Sequence, residues 1–489
     1  MLVDAFVDSV RRQGKTLAVD DGLRALTFSR LGTLAGVFRE IILAETSCPR
    51  VGIILPASSA FPAVLFGTLW AKRVAVPLNF LLAADELLPV VQDAGLDLIL
   101  TVRHFAQLTA KLPVRSLFLE DLGLKRRLLF ALLRRFPPIP VVKPDDTAVI
   151  LYTSGTTGRP KGVELTQRNL HSNATDCIAA LNIDPRQRFL NVLPPFHVFG
   201  LTAGVLVPTF LGASVYSLPR FNPLGAIHAV RDHGITVMMA IPSMYAAMLR
   251  TKSATSDSFG NVHLAITGGE PLPDSVREFF QTRFGVHLRQ GYGLTETSPV
   301  VAVSTHAATR DGTVGKPIAH VQLRIVDADG KNLPVAQDGE ILVRGPGVMK
   351  GYYHQPEETQ RVLDADGWFH TGDVGRLDAD GFLAITGRAK EMLIVGGENV
   401  FPREIEAVLE SHEAVLQAAV IGQPDDLRGE TPVAFVMPRK GAEVTEADLR
   451  NFAKLSLAGF KVPRRVIISE DLPAGPTGKI LKRKLRELL

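Results

Sequence analysis

Along the first half of the chain, short apolar runs alternate with longer stretches of helical length. "RVGIILP" (Arg50 to Pro56) reads as a buried strand, and "SAFPAVLFGTLWAKR" after it as a helix. "VAVPLN", a helix through "AADELLPVVQDAG" and the strand "LDLILT" continue the alternation, which returns at "FLNVLPP", "ASVYSLP", "ITVMMAIP" and "VHLAITG". Strand–helix repetition of this kind predicts an α/β fold with parallel-rich sheets covered by helices. From about Gly312 the texture changes to short alternating strands and turns, as in "VQLRIVDADGKNLP" and "GEILVRG", which predicts a small β subdomain. After "FLAITGRAKEMLIVGG" come an amphipathic helix ("PREIEAVLESH"), strands ("VLQAAVIG", "TPVAFVMP"), a second helix ("EADLRNFAKLSL") and a basic tail. That is the pattern of a compact α+β unit. The expected division is a large N-terminal domain over residues 1–387, a connector over 388–390 and a smaller α+β domain over 391–489.

Composition narrows the class. An excess of four cations over 489 residues is small, and without a lysine- or arginine-rich tract it gives no reason to expect nucleic acid. Two cysteines, Cys48 and Cys177, with no CxxC or Cys/His cluster, point to a reduced, cytoplasmic setting. The start, "MLVDAFVDSVRRQGK", carries Asp4 and Asp8 and lacks the apolar core of a signal peptide. Phe199 to Leu218 is twenty residues without a charge, long enough to cross a bilayer. Pro208 and the glycines within it favour a buried helix of the α/β core instead, so no membrane span is expected. The segment "LKRRLLFALLRRF" (Leu124 to Phe136) sets leucines largely opposite arginines on a helical wheel. Such a helix suits an anionic membrane surface, and a solvated surface helix is the preferred reading.

Candidate chemistry begins at "YTSGTTGRPKG", Tyr152 to Gly162. A Walker loop needs GxxxxGK[ST] between a strand and a helix. Here Pro160 stands where the second glycine belongs, and Gly162 follows Lys161. The flanks "TAVILYT" and "GVELT" are both strand-like, so no helix dipole aims at phosphate. Gly155 and Gly158 instead free backbone N–H groups, while Thr153, Ser154, Thr156 and Thr157 offer hydroxyls and Lys161 a charge. Alone, one such short motif is usually a plain turn. Downstream, "RQGYGLTETSPV" sets Tyr292 between Gly291 and Gly293, an aromatic plate suited to a purine. Thr295 and Glu296 follow, a hydroxyl and a carboxylate able to hold Mg²⁺ against phosphate oxygens. "GWFHTGD" offers Asp373 to ribose hydroxyls, and "PTGKILK" places Lys479 on a turn.

Taken in order, "YTSGTTGRPKG", "LPPFHVFG", "ITGGEPLP", "GYGLTETSP", "WFHTGD", "GRAKEMLIVGGENVFPREIE" and "PTGKILK" span nearly the whole chain. The set resembles the adenylate-forming superfamily of acyl-CoA synthetases, peptide-synthetase adenylation domains and firefly luciferase. The resemblance implies a large N-terminal domain and a small C-terminal lid that enclose ATP and a carboxylic acid. The acid attacks the α-phosphate, releases pyrophosphate, and leaves an acyl-adenylate whose acyl group passes to a thiol, usually that of CoA. It further implies that residues 153–161 (Thr153, Ser154, Gly155, Thr156, Thr157, Gly158 and Lys161 among them) hold the β- and γ-phosphates. Gly269, Glu270 and Pro271, with Gly291, Tyr292 and Gly293, line the adenine pocket; Thr295 contacts the α-phosphate and Glu296 ligates Mg²⁺. Asp373 and Arg388 bind ribose, Lys479 bridges the carboxylate and α-phosphate, and His197 borders the acyl pocket. The family rotates its lid between half-reactions, which assigns the hinge to Lys390 and the thiol path to Gly397.

The acid is less legible. No acidic residue for an amino group precedes Glu270 in "HLAITGGEPLP", and no carrier domain follows Lys479, so a free-standing ligase is expected over an assembly-line module. "GYGLTETSPVV" and "GGENVFPREIE" resemble bacterial fatty acyl-CoA ligases more than plant-type aryl ligases, and the apolar stretch after His197 suits an alkyl chain. A medium- or long-chain fatty acid is the expected substrate. Aryl or short-chain acids, an acyl carrier protein as acceptor, and a non-catalytic adenylate- or lipid-binding module remain the alternatives. Neither oligomeric state nor pathway is readable.

Overall fold

The computed structural model describes residues 1–131, 136–153, 160–425, 428–473 and 480–489. Apolar runs bounded by turn residues become strands where the pattern predicts them, and two sheets carry the larger domain. The first runs in the order Gly351–Tyr352, Lys161–Thr166, Thr147–Thr153, Val74–Pro77, Arg50–Ile54, Leu98–Thr101 and Arg115–Phe118. Its last five strands are parallel, and the pair flanking the glycine-rich loop is antiparallel.

The second sheet orders Lys316–Pro317, Val300–Val303, Leu288–Gly293, Leu264–Thr267, Val237–Ala240, Arg188–Asn191, Ser214–Ser217, Leu17–Asp20 and Ala25–Thr27. Its six central strands, from Leu288–Gly293 to Leu17–Asp20, are parallel, with antiparallel pairs at both edges. Strands such as Val237–Ala240 and Leu264–Thr267 are buried at every position, which is why they read as unbroken apolar runs. A four-stranded antiparallel sheet (Gln322–Val326, Gly339–Arg344, Phe369–Leu377, Leu383–Arg388) forms the small β subdomain. The C-terminal α+β domain has its own apolar core around Val400, Ile405, Leu409, Val420 and Val436.

Thr166 ends the second strand of the loop hairpin and caps the helix Gln167–Leu181, its hydroxyl accepting from the Asn169 N–H at 3.1 Å. The hairpin therefore needs no separate connection to the helix behind it. The uncharged segment from Phe199 is buried, as expected, but not as one helix. It comprises a helix Val198–Leu201, a π turn Thr202–Leu206, a helix Val207–Leu211 and the strand Ser214–Ser217. Gly212 ends the helical part in the left-handed region and lets the chain turn back into the sheet. Among the described residues no helix is long and apolar enough to cross a membrane.

The basic amphipathic segment forms a helix over Leu124–Ala131. Its Leu124, Leu128 and Ala131 pack on the protein core, Phe136 stacks on Trp70 at 6.2 Å, and Leu129 and Phe130 stay exposed. Of the apolar face of this helix, Leu128 is thus against protein and Leu129 is not. Leu132, Leu133, Arg134 and Arg135 lie outside the described residues. In the basic tail Lys482–Arg486 is a short helix anchored by the fully buried Leu485, with Arg483, Lys484 and Arg486 exposed.

Candidate active site

The carboxyl ends of the parallel strands, the β subdomain and the C-terminal domain border one cleft of about 3220 Å³. Open α/β sheets bind ligands at this end. Gly269, Glu270 and Pro271 follow the strand Leu264–Thr267, and Gly291, Tyr292 and Gly293 close the neighbouring strand; all six line the cleft. The two strand ends meet without side chains between them: a Cβ on Gly268 would sit 3.0 Å from the Gly291 carbonyl oxygen. Glu270 Oε2 accepts from the Ser243 N–H at 3.4 Å.

Tyr292 differs from the bare aromatic plate that the sequence suggested. Its hydroxyl donates to Asp373 Oδ2 at 2.7 Å, and its ring packs on the apolar core of the β subdomain. Burial raises the phenol well above its ordinary pKa, so it stays a donor. Asp373 is 4% exposed, and Arg388, its cross-strand partner, places Nε 2.9 Å from Oδ1. Each carboxylate oxygen retains a further lone pair for a hydroxyl from the cleft. The two residues expected at the ribose therefore come together, and Tyr292 ties them to the strand Leu288–Gly293.

Glu296 lies in a single 3₁₀ turn, Thr295–Thr297, whose backbone is held by the Met349 N–H donating to the Glu296 carbonyl at 2.8 Å. Burial raises the pKa of the Glu296 carboxyl, opposed by the Tyr352 hydroxyl donating at 2.9 Å and by the charges of Arg388 and Lys161. Lys161 stands at the start of its strand opposite Thr153, its ammonium 4.9 Å from the Tyr352 ring centroid. Lys161, the Glu296 carboxylate and Arg388 thus share one neighbourhood. Ser154, Gly155, Thr156, Thr157 and Gly158 lie outside the described residues, as does Lys479.

A sheltered carboxylate held by the Tyr352 hydroxyl and open to the cleft has the hard oxygen donors that fit a Mg²⁺ ion. Among the described residues no group of three or more acids, histidines or cysteines is placed to hold a metal unaided.

His197 faces the cleft from the turn before the helix Val198–Leu201, packed on the Phe196 ring at 4.6 Å. Its Nε2 is buried without a hydrogen-bond partner among the described residues, and burial pulls its pKa down to about 4, so the ring is neutral at pH 7. Beyond it the cleft is walled by Leu181, Phe199, Ala203, Val207, Met239 and Ile241. Lys390 is exposed in the turn Ala389–Glu391, at the rim. Gly397, at φ +87°, does not line the cleft and stands apart from the residues gathered around Glu296.

Sequence reasoning missed Tyr352 and Glu358. Tyr352 holds Glu296, and Glu358 pairs with Lys161 at 2.6 Å. "GYYHQPEETQ" carries no local sign of either contact, since both partners are distant in sequence.

Comparison with known proteins finds relatives along nearly the whole chain. The AMP-binding enzyme family matches residues 6–353, and the AMP-binding enzyme C-terminal domain matches residues 404–479. The chain is 35% identical over 485 residues to a feruloyl-CoA synthase of Amycolatopsis sp, covering 98% of this chain and 97% of the relative. It is 34% identical over 482 residues to a long-chain-fatty-acid–CoA ligase of Bacillus subtilis, covering 90% and 85%. The crystal structure of ATP-bound MatB from Rhodopseudomonas palustris superposes with a TM-score of 0.91 at 30% identity, covering 100% of this chain and 99% of that one.

Proposed function

The chain belongs to the AMP-binding enzyme family, and from that premise we propose that it activates a medium- or long-chain fatty acid and passes it to CoA. The coarser activity, an ATP-dependent, AMP-forming acid–thiol ligase, is that of its relatives. The acid carboxylate attacks the α-phosphate of ATP, forming the acyl–phosphate bond and expelling pyrophosphate. The thiol of CoA then attacks the acyl carbon and AMP leaves.

The convergence of Lys161, Glu296, Tyr352, Asp373 and Arg388 at one end of an apolar cleft carries this reading. Residues 153–161 receive the β- and γ-phosphates, Thr295 the α-phosphate, and Asp373 with Arg388 the ribose. Glu296 would hold Mg²⁺, which would supply positive charge to offset that developing on the leaving pyrophosphate. Lys479 supplies the cation between acid and α-phosphate. Residues 388–390 act as hinge between the domains 1–387 and 391–489, with Lys390 absorbing the backbone change and Gly397 turning toward the thiol once the lid has rotated. The free thiols Cys48 and Cys177 suit a reducing, cytoplasmic setting.

The choice of acid rests on the wall around His197. Six apolar side chains and a neutral imidazole favour an uncharged tail beside His197. An aryl acid is the second reading, favoured by the feruloyl-CoA synthase relative. A pyrophosphate-release assay over alkyl, aryl and dicarboxylic acids, with and without CoA, separates them. Highest kcat/KM for alkyl acids supports the proposal, and a preference for cinnamate-like acids replaces it with the second reading. Adenylate turnover that CoA fails to accelerate points to a carrier protein as acceptor.

A further inference from the structure

Glu358 has no part in the chemistry above, yet it grips a side chain on which that chemistry depends. Its Oε2 lies 2.6 Å from the Lys161 ammonium, and Arg361, one helical turn on, pairs with its other oxygen. The Lys161 and Glu358 side chains are 15% and 28% exposed, so the pair is partly sheltered while opening on the cleft. The bond from Lys161 holds the Glu358 carboxyl below the usual carboxylate range, with Arg361 and Lys390 adding to the effect, so it is ionised at neutral pH.

The position of Glu358 is fixed by its helix, Pro356–Val362, independently of Lys161. Thr359 Oγ1 accepts from the Tyr352 N–H at 2.9 Å, and Gln355 Nε2 donates to the Pro160 carbonyl at 3.5 Å. Helix, loop end and the strand under Tyr352 are therefore pinned together. A carboxylate stands where the outer phosphates of ATP are to arrive.

Such a carboxylate competes with phosphate for one ammonium. A triphosphate must draw Lys161 away from Glu358 or bind beside a negative charge left uncancelled. The same competition favours departure of pyrophosphate, whose place on Lys161 the carboxylate can take at once. Resting on the reading of Lys161 as a phosphate ligand, we propose that Glu358 is a positioning residue that holds Lys161 in the empty site and reclaims it from pyrophosphate, setting how tightly that product is retained.

The test uses the full chain titrated with magnesium pyrophosphate by calorimetry, which needs no turnover. Glu358→Gln is expected to bind pyrophosphate about three- to fivefold tighter, the scale of a partly exposed ion pair. Pyrophosphate inhibition should strengthen by the same factor, KM for ATP should fall, and KM for the acid should not move. Glu358→Asp, still anionic, should return toward wild type. Glu357→Gln removes the same charge from the exposed neighbouring position and is expected to change nothing. In a Lys161→Met background the effect of Glu358→Gln should vanish. Unchanged pyrophosphate affinity in Glu358→Gln overturns the proposal, as does an equal gain in Glu357→Gln or an undiminished gain without Lys161. If the wild-type chain releases no pyrophosphate with any acid, the functional reading itself fails. If it does and Glu358→Gln binds pyrophosphate as wild type does, only the role of Glu358 falls.

Discussion

Replacing Gly293 by alanine is the sharpest test of the strand that carries Tyr292 into the cleft. A Cβ there would lie 1.9 Å from the Pro299 carbonyl oxygen and 2.6 Å from its carbonyl carbon, both backbone atoms. Real Cβ contacts stop near 3.0 Å, so the strand and the segment Pro299–Val300 must part by at least about 1.1 Å. No rotamer change relieves this, because no flexible side chain is involved. Overpacking of this sort costs about 1–3 kcal/mol. The displaced segment includes Tyr292 on one side and the Thr295–Thr297 turn with Glu296 on the other. A shift of roughly 1 Å in positioning groups lowers rate about 10²-fold, and that is the loss of kcat/KM expected in ATP-dependent pyrophosphate release. Gly291→Ala is the control, since its nearest contact would be 3.6 Å, an ordinary approach. Thermal unfolding without nucleotide should show a lowered midpoint for Gly293→Ala and an unchanged one for Gly291→Ala. Wild-type activity and midpoint in Gly293→Ala, or equal destabilisation of Gly291→Ala, would refute the steric argument.

Asp373→Ala removes the acceptor of the buried Tyr292 hydroxyl and the partner of Arg388; an expected stability loss of about 1–3 kcal/mol should show in urea denaturation, together with a raised KM for ATP. His197 has its pKa depressed to about 4 by burial, so the stability of its neutral form is complete above about pH 6.5 and is lost as pH falls toward 4. That loss amounts to about 3 kcal/mol, and His197→Gln should flatten the stability–pH curve over this window, measured by urea midpoints at several pH values. Lys479→Ala is expected to abolish adenylate formation while largely sparing thioester formation from supplied acyl-adenylate, with Gly397→Leu doing the reverse; equal loss of both steps in Lys479→Ala would remove it from its role. Exhaustive chelation should stop pyrophosphate release and added Mg²⁺ restore it, whereas full turnover in chelator would contradict the part given to Glu296.

How much was legible differs from element to element. The hairpin around residues 153–161, the buried strands and the change of texture after Gly312 are written in local composition, and the structure has them where the pattern put them. The Phe199–Leu218 segment was rightly read as buried core but wrongly as a single helix, because hydropathy reports burial and not the π turn or the Gly212 reversal within it. The helical wheel at Leu124–Phe136 showed an apolar face but not that Leu124, Leu128 and Ala131 already have protein against them.

The same division holds at the site. By itself the sequence determined the family, the loop type and the identity of the charged groups, since motifs of this length record their chemistry in adjacent residues. Only the tertiary structure decided which groups meet. Tyr352 reaches Glu296 across 56 positions, Tyr292 reaches Asp373 across 81, and Lys161 meets Glu358 across 197. Such contacts depend on strand register and on helices pinned at their ends, and neither leaves a periodic trace in the residues nearby.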